Sequence, residues 1–210
     1  IASFGTAFKA PTFNDLYFPF TGNPGLDPEK SRSGEVGLRG GHALGAWSAN
    51  LFETRIRDLI IGDPANFFVS ANINSARIRG LEFESDARLG AWRANAALTL
   101  LDPENRTDGP NDGNRLPRRP RQSLKVDIDR DFGLSSLGMS MLAEGSRYDN
   151  PANTQRVGGF ATVDLRAGRQ IAKNWLLQAR LVNLFDADYE TVDYFNQAGR
   201  SGFITLRYQY

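Results

Sequence analysis

A chain of 210 residues, 40% hydrophobic and with a formal charge of +1, lacks the surplus of clustered Lys and Arg that a nucleic-acid footprint needs. The absence of cysteine removes disulfides, thiolate metal sites and thiol chemistry. No apolar run of about 18 residues occurs, which excludes a helical membrane span but leaves room for membrane β-strands of about 9–11 alternating residues.

Period-2 alternation predicts about ten strands, beginning inside a strand-like pattern at Ile1 with no Met and no leader-like segment before it, so an upstream segment is expected. In chain order, Leu81 and Phe83 alternate with Glu82, Glu84 and Asp86. Trp92, Ala94, Ala96, Leu98 and Leu100 alternate with Arg93, Asn95, Ala97 and Thr99. Leu124, Val126 and Ile128 are set against Lys125, Asp127 and Asp129, and Ala161, Val163, Leu165 and Ala167 against Thr162, Asp164 and Arg166. The final strand, Gly202 to Tyr210, sets Ile204, Leu206, Tyr208 and Tyr210 against Thr205, Arg207 and Gln209.

One apolar face suits a soluble sandwich as well as a membrane barrel, so the connections decide. Short ones fall at Gly40 to Gly45, Leu89 to Ala91, Gly133 to Ser136 and Ala172 to Asn174. Long polar ones fall at Lys9 to Lys30, Gly62 to Ser75, Asp102 to Arg119, Tyr148 to Gly159 and Asp186 to Arg200. This short-long parity is what a transmembrane antiparallel β-barrel with periplasmic turns and extracellular loops requires. Trp47, Trp92 and Trp175 each follow a short turn, which places these amphipathic rings at one rim as an interfacial girdle. Tyr208 and Tyr210 are expected at the same rim.

Val182-Asn183-Leu184-Phe185-Asp186-Ala187-Asp188-Tyr189-Glu190, followed by Gln197-Ala198-Gly199-Arg200 and a terminal aromatic strand, resembles the C-terminal signature of TonB-dependent outer-membrane receptors. Phe8-Lys9-Ala10-Pro11 and Asp58-Leu59-Ile60 look like the same family. Within it, Ala76-Arg77-Ile78-Arg79-Gly80, Leu116-Pro117-Arg118-Arg119 and Arg147-Tyr148-Asp149 are most similar to the vitamin B12 (cobalamin) receptors. The resemblance implies that residues 1–210 are the last ten strands or so of a 22-stranded barrel, with a plug domain and a TonB-engaging segment upstream. It implies a place in the outer membrane of a Gram-negative bacterium, with outer-membrane lipid and lipopolysaccharide, TonB and cobalamin as partners. It implies no resident cofactor and no bond made or broken, with calcium bound only in loops preceding Ile1. The polar strand faces, including Glu82, Glu84, Arg93, Lys125, Asp127, Asp164, Arg166 and Arg180, would then line the lumen, Glu82 and Glu84 within a charge network with Arg88 and Arg93.

By the same resemblance, Arg118 and Arg147 are the candidate ligand-binding residues, because a guanidinium fork reaches amide carbonyls and phosphate oxygens. Both residues could instead meet lipopolysaccharide or pair with loop carboxylates. The cobalamin receptors also use a tyrosine shortly after the Arg-Tyr-Asp triplet, where this chain reads Asn150-Pro151-Ala152-Asn153-Thr154. A ferric-siderophore receptor is therefore the competing cargo reading. A self-contained ten-stranded outer-membrane hydrolase is the competing class, and the lone His42 sits in a turn assigned to the wrong rim for it. Asp102, Glu104, Asp108 and Asp112 lack the spacing of a calcium-binding hand.

Overall fold

The computed structural model describes residues 1–63 and 66–208, so Gln209 and Tyr210 of the expected closing strand lie outside the described residues. Among the described residues, fourteen strands and one short helix follow in chain order: β1 (Ala2–Lys9), α1 (Phe13–Tyr17), β2 (Glu29–His42), β3 (Gly45–Asp63), β4 (Val69–Leu89), β5 (Trp92–Asn105), β6 (Gln122–Phe132), β7 (Ser135–Glu144), β8 (Arg147–Tyr148), β9 (Arg156–Val157), β10 (Phe160–Ala172), β11 (Trp175–Val182), β12 (Glu190–Val192), β13 (Phe195–Asn196) and β14 (Ser201–Tyr208). Ten of them form one antiparallel meander, β1-β2-β3-β4-β5-β6-β7-β10-β11-β14, in which each strand pairs with the next long strand in the chain. The pairs β8-β9 and β12-β13 are small hairpins inside connections.

Each short connection is a two-residue hairpin turn, closed by the pairs His42↔Gly45, Leu89↔Trp92, Phe132↔Ser135 and Ala172↔Trp175. Gly90 and Gly133 hold the first turn position at φ of 59° and 68°, where a side chain would be strained and where the tight hairpin geometry needs positive φ. The other rim carries the longer connections, but one is shorter than the polar composition of Gly62 to Ser75 suggests. β3 and β4 stay paired through Asp63↔Val69, which leaves only residues 64–68 as the link. Strand pairing satisfies the backbone there despite the polar side chains.

Register puts the expected apolar residues on one face. Leu81, Leu100 and Gln122 are cross-strand neighbours, as are Phe83, Leu98, Leu124, Ala143 and Ala161. The eight charged residues expected in the lumen share the opposite face. The charge network differs from the expected one. Arg93 reaches Asp131 at 2.5 Å rather than a glutamate, and Arg166 bridges Asp129 at 2.9 Å and Asp127 at 3.4 Å. Glu82 and Glu84 have no ion-pair partner among the described residues, because the cross-strand neighbours that separate them from the next charged strand are Thr99 and Ala97.

β3 and β4 run 19 and 21 residues, about twice the length that crosses a bilayer. Part-way up, the two faces exchange character. The face that carries Ala49/Phe83 and Leu51/Leu81 goes on to carry Glu53/Arg79 and Arg55/Arg77. The face that carries Ser48/Glu84 and Asn50/Glu82 goes on to Phe52/Gly80, Thr54/Ile78 and Ile56/Ala76. Above the exchange, Leu59, Ala76, Ile78 and Leu116 form a small buried core, packed by Phe52, Ile56, Ile61 and Leu101. Gly80 is required by this core: a Cβ there would lie 2.5 Å from the Phe52 ring and 2.9 Å from Leu101.

The three tryptophans occupy the short-turn rim, all on the apolar face. Trp47 packs over Gly40 and stacks on Phe83 with centroids 6.5 Å apart. Trp175 meets Tyr208 at 5.1 Å, and the Arg130 guanidinium lies 4.9 Å from the Trp92 ring centre and 4.6 Å from that of Phe132. Rings with a polar edge beside a snorkelling cation are the chemistry of a membrane-water boundary.

Candidate functional site at the long-loop rim

The connection after β5 folds back onto the connection after β7. The Arg115 N–H donates to Asn153 Oδ1 at 2.8 Å, and Asn153 Nδ2 donates to the Arg115 carbonyl at 2.9 Å. Asn114 Nδ2 donates to the Pro151 carbonyl at 3.0 Å. Asn150 Oδ1 accepts the Thr154 and Gln155 N–H groups, so the Asn150 to Thr154 segment is a side-chain-capped turn that serves as a clamp for its neighbour. These bonds account for the two asparagines of the segment.

Arg118 sits on that clamp. Its N–H donates to the Tyr148 carbonyl at 2.7 Å, and its φ of 59° turns the chain between Pro117 and Arg119. Its guanidinium forks onto Asp149 through Nε at 2.8 Å and Nη2 at 3.3 Å. The side chain stays 54% exposed while Asp149 is 13% exposed, so the carboxylate anchors the fork and the remaining donors face outward.

Arg147 has a different setting. It is only 5% exposed, bonded through Nη2 to Glu144 Oε2 at 2.7 Å and placed 5.6 Å from the Phe160 ring centre. Phe160 in turn stacks on Tyr189 at 4.1 Å. Arg147 thus ties β7 to β10 and to the connection after β11.

The residue that organises this last connection is Asn183, which is 1% exposed and which the sequence reading included only as one letter of a signature. At φ of 51° its side chain donates to the Ala187 carbonyl and accepts the Ala187 N–H, both at 2.9 Å. Its own N–H donates to Asp164, the partner of Arg180 at 2.6 Å. Asp186 then accepts the Arg200 N–H at 2.6 Å, which closes both ends of the signature.

Elsewhere on the rim, Thr12 and Asp15 cap α1 reciprocally, and the Thr12 hydroxyl and N–H together hold the Asp15 carboxyl below its ordinary range. Asp102 and Glu104 are engaged by arginines, Asp102 by Arg121 at 3.6 Å and Glu104 by Arg77 and Arg106. His42 lies at the opposite rim, its Nδ1 accepting the Leu44 N–H within the turn at 3.2 Å.

Residues 1–184 match the family described as TonB dependent receptor-like, beta-barrel. The whole chain is 32% identical to a vitamin B12 transporter, BtuB, of Photobacterium profundum and 33% identical to that of Vibrio vulnificus, and spans about 35% of the length of each. Among solved structures, the siderophore receptor PiuA of Acinetobacter baumannii superposes over 100% of this chain and 33% of its own, with TM-score 0.81 and 22% identity. The copper transporter OprC does so over 100% of this chain and 36% of its own, with TM-score 0.80 and 21% identity. Matched over most of its length, and folded as a ten-stranded section of such a wall, the chain belongs to the TonB-dependent receptor β-barrel family.

Proposed function

We propose that the protein to which this chain belongs is a TonB-dependent outer-membrane receptor that takes up cobalamin, with this chain supplying part of the barrel wall and of the ligand-facing loops. The observation that carries the reading is the identity of 32–33%, sustained over all of the chain, to two vitamin B12 transporters. Arg118 is the contact residue that the geometry favours, since its exposed fork offers donors for the amide carbonyls and phosphate of such a cargo. Arg147 supports the same loops from beneath. TonB would act through an upstream segment and plug, and no chemical step is required of the wall.

Equilibrium binding of cobalamin and of ferric siderophores to the full-length receptor tests the reading. Cobalamin alone is expected to bind, and Arg118→Ala should weaken it roughly tenfold, the worth of one charged hydrogen bond. Saturable binding of a ferric chelate with none of cobalamin at about micromolar concentration would transfer the protein to the siderophore receptors.

A further inference from the structure

Residues 115–121 bring four arginines into one connection, Arg115, Arg118, Arg119 and Arg121, and each has a different setting. The Arg115 guanidinium lies 5.7 Å from the Tyr148 ring centre, Arg121 lies 3.6 Å from Asp102, and Arg119 is exposed with no ion pair among the described residues. Of the four, Arg118 alone is forked by a carboxylate, and that carboxylate, Asp149, comes from the connection after β7.

The pair is preformed. Arg118 has a φ of 59°, a left-handed conformation that a bulky residue adopts where its surroundings enforce it. The bond from its N–H to the Tyr148 carbonyl at 2.7 Å does so. Asp149 is fixed in turn, its N–H donating to the Gln155 carbonyl at 2.9 Å, and its side chain, 13% exposed, is turned toward the guanidinium rather than into solvent. A guanidinium carries five N–H donors. Nε and Nη2 serve Asp149, which leaves Nη1 and the second hydrogen of Nη2 for a ligand. An oxygen that accepts from these meets the positive charge in contact and the negative charge of Asp149 one guanidinium width behind it. A neutral carbonyl keeps nearly the whole hydrogen bond, while a carboxylate or catecholate loses much of its electrostatic gain.

We infer that Asp149 is a selectivity residue: by holding Arg118 and partly cancelling its charge, it makes the contact favour uncharged amide oxygens over the charged oxygens of an anionic chelate. Placing like charge where the wrong partner must sit is a general means of rejection. Arg119 remains able to attract anions from a distance, so Asp149 acts on the contact itself and not on the approach. The inference rests on the reading of Arg118 as a cargo contact.

The test uses the full-length receptor and its Asp149→Asn, Asp149→Glu, Arg118→Ala and Arg118→Ala/Asp149→Asn variants. Asparagine keeps the shape of the side chain and an oxygen acceptor for the fork while removing the charge. Equilibrium dialysis compares cyanocobalamin, its side-chain monocarboxylates, in which one amide has become a carboxylate, and the ferric tris-catecholate trianion. Wild type should bind the amide parent more tightly than the monocarboxylates. Asp149→Asn should narrow that difference about fivefold for at least one monocarboxylate, the upper end for a half-exposed charge pair, and Asp149→Glu should keep the wild-type ratio. The double variant should show no narrowing relative to Arg118→Ala. An unchanged ratio for every monocarboxylate in Asp149→Asn, or the same narrowing in the absence of Arg118, would overturn the inference. Should wild type bind the trianion and no cobalamin, the cargo reading falls by itself, and the selectivity role then stands only if Asp149→Asn tightens the trianion about fivefold. Binding of neither would remove both.

Discussion

Arg118 and Arg147, the two arginines singled out by the same family resemblance, end in opposite environments, one at 54% side-chain exposure and the other at 5%. The distinction has a measurable consequence. Arg147→Ala removes a buried cation from Glu144 and its seat over Phe160, and should cost up to about 3 kcal/mol, less than a fully buried pair because Glu144 keeps some solvent. The temperature at which the receptor loses its heat-resistant gel mobility should fall, whereas Arg118→Ala should leave it unchanged and act on binding. An equal fall in both variants would show that Arg118 is also part of the scaffold. Burial of Arg147 was hard to read in advance: the only local signal is Glu144 three positions earlier, and the covering ring of Phe160 arrives from another strand.

At the scale of elements, the strands were legible wherever alternation is sustained, because the pleat exposes a period of two directly. The two-residue turns were legible from glycine and the parity of the connections. The top of β3 and β4 was not, since beyond the exchange of faces the polar residues multiply and Gly62 to Ser75 reads as a loop. The Phe52-Gly80 pair marks the change. Gly80→Ala should destabilise the protruding hairpin by about 1–3 kcal/mol through overpacking, and Phe52→Leu in the same chain should recover part of it. Additive losses in a double-mutant cycle, read by hydrogen exchange of the β3 and β4 amides, would contradict direct contact as the cause. The small hairpins β8-β9 and β12-β13 were invisible for a simpler reason: two- and three-residue strands carry no period.

At the scale of the molecule, the meander ends at β1 and β14, each with a strand on one side only among the described residues. In lipid every backbone polar group needs a partner, and an open edge invites association with other chains. The 210 residues refolded alone in detergent should therefore give no heat-resistant monomer. A monodisperse, heat-modifiable species would show that the sheet can close on itself. The candidate site was partly legible at this scale as well: the rim was identified from loop parity, but the clamp between the Asn150 to Thr154 turn and Arg115 joins segments 38 residues apart, a separation beyond any local pattern.

The exchange of faces on β3 and β4 also governs how far the wall can travel along the membrane normal. Sinking by one outward position would bring Glu53, Arg79 and Asp102 into hydrocarbon, and rising by one would lift Leu51 and Leu81 into water, so displacement is opposed in both directions. The opposite rim adds a second stop through Trp47, Trp92 and Trp175. With its height set at both boundaries, the barrel should present Arg118 at a constant elevation above the bilayer, and a membrane of different thickness should deform around the protein before the protein shifts within it.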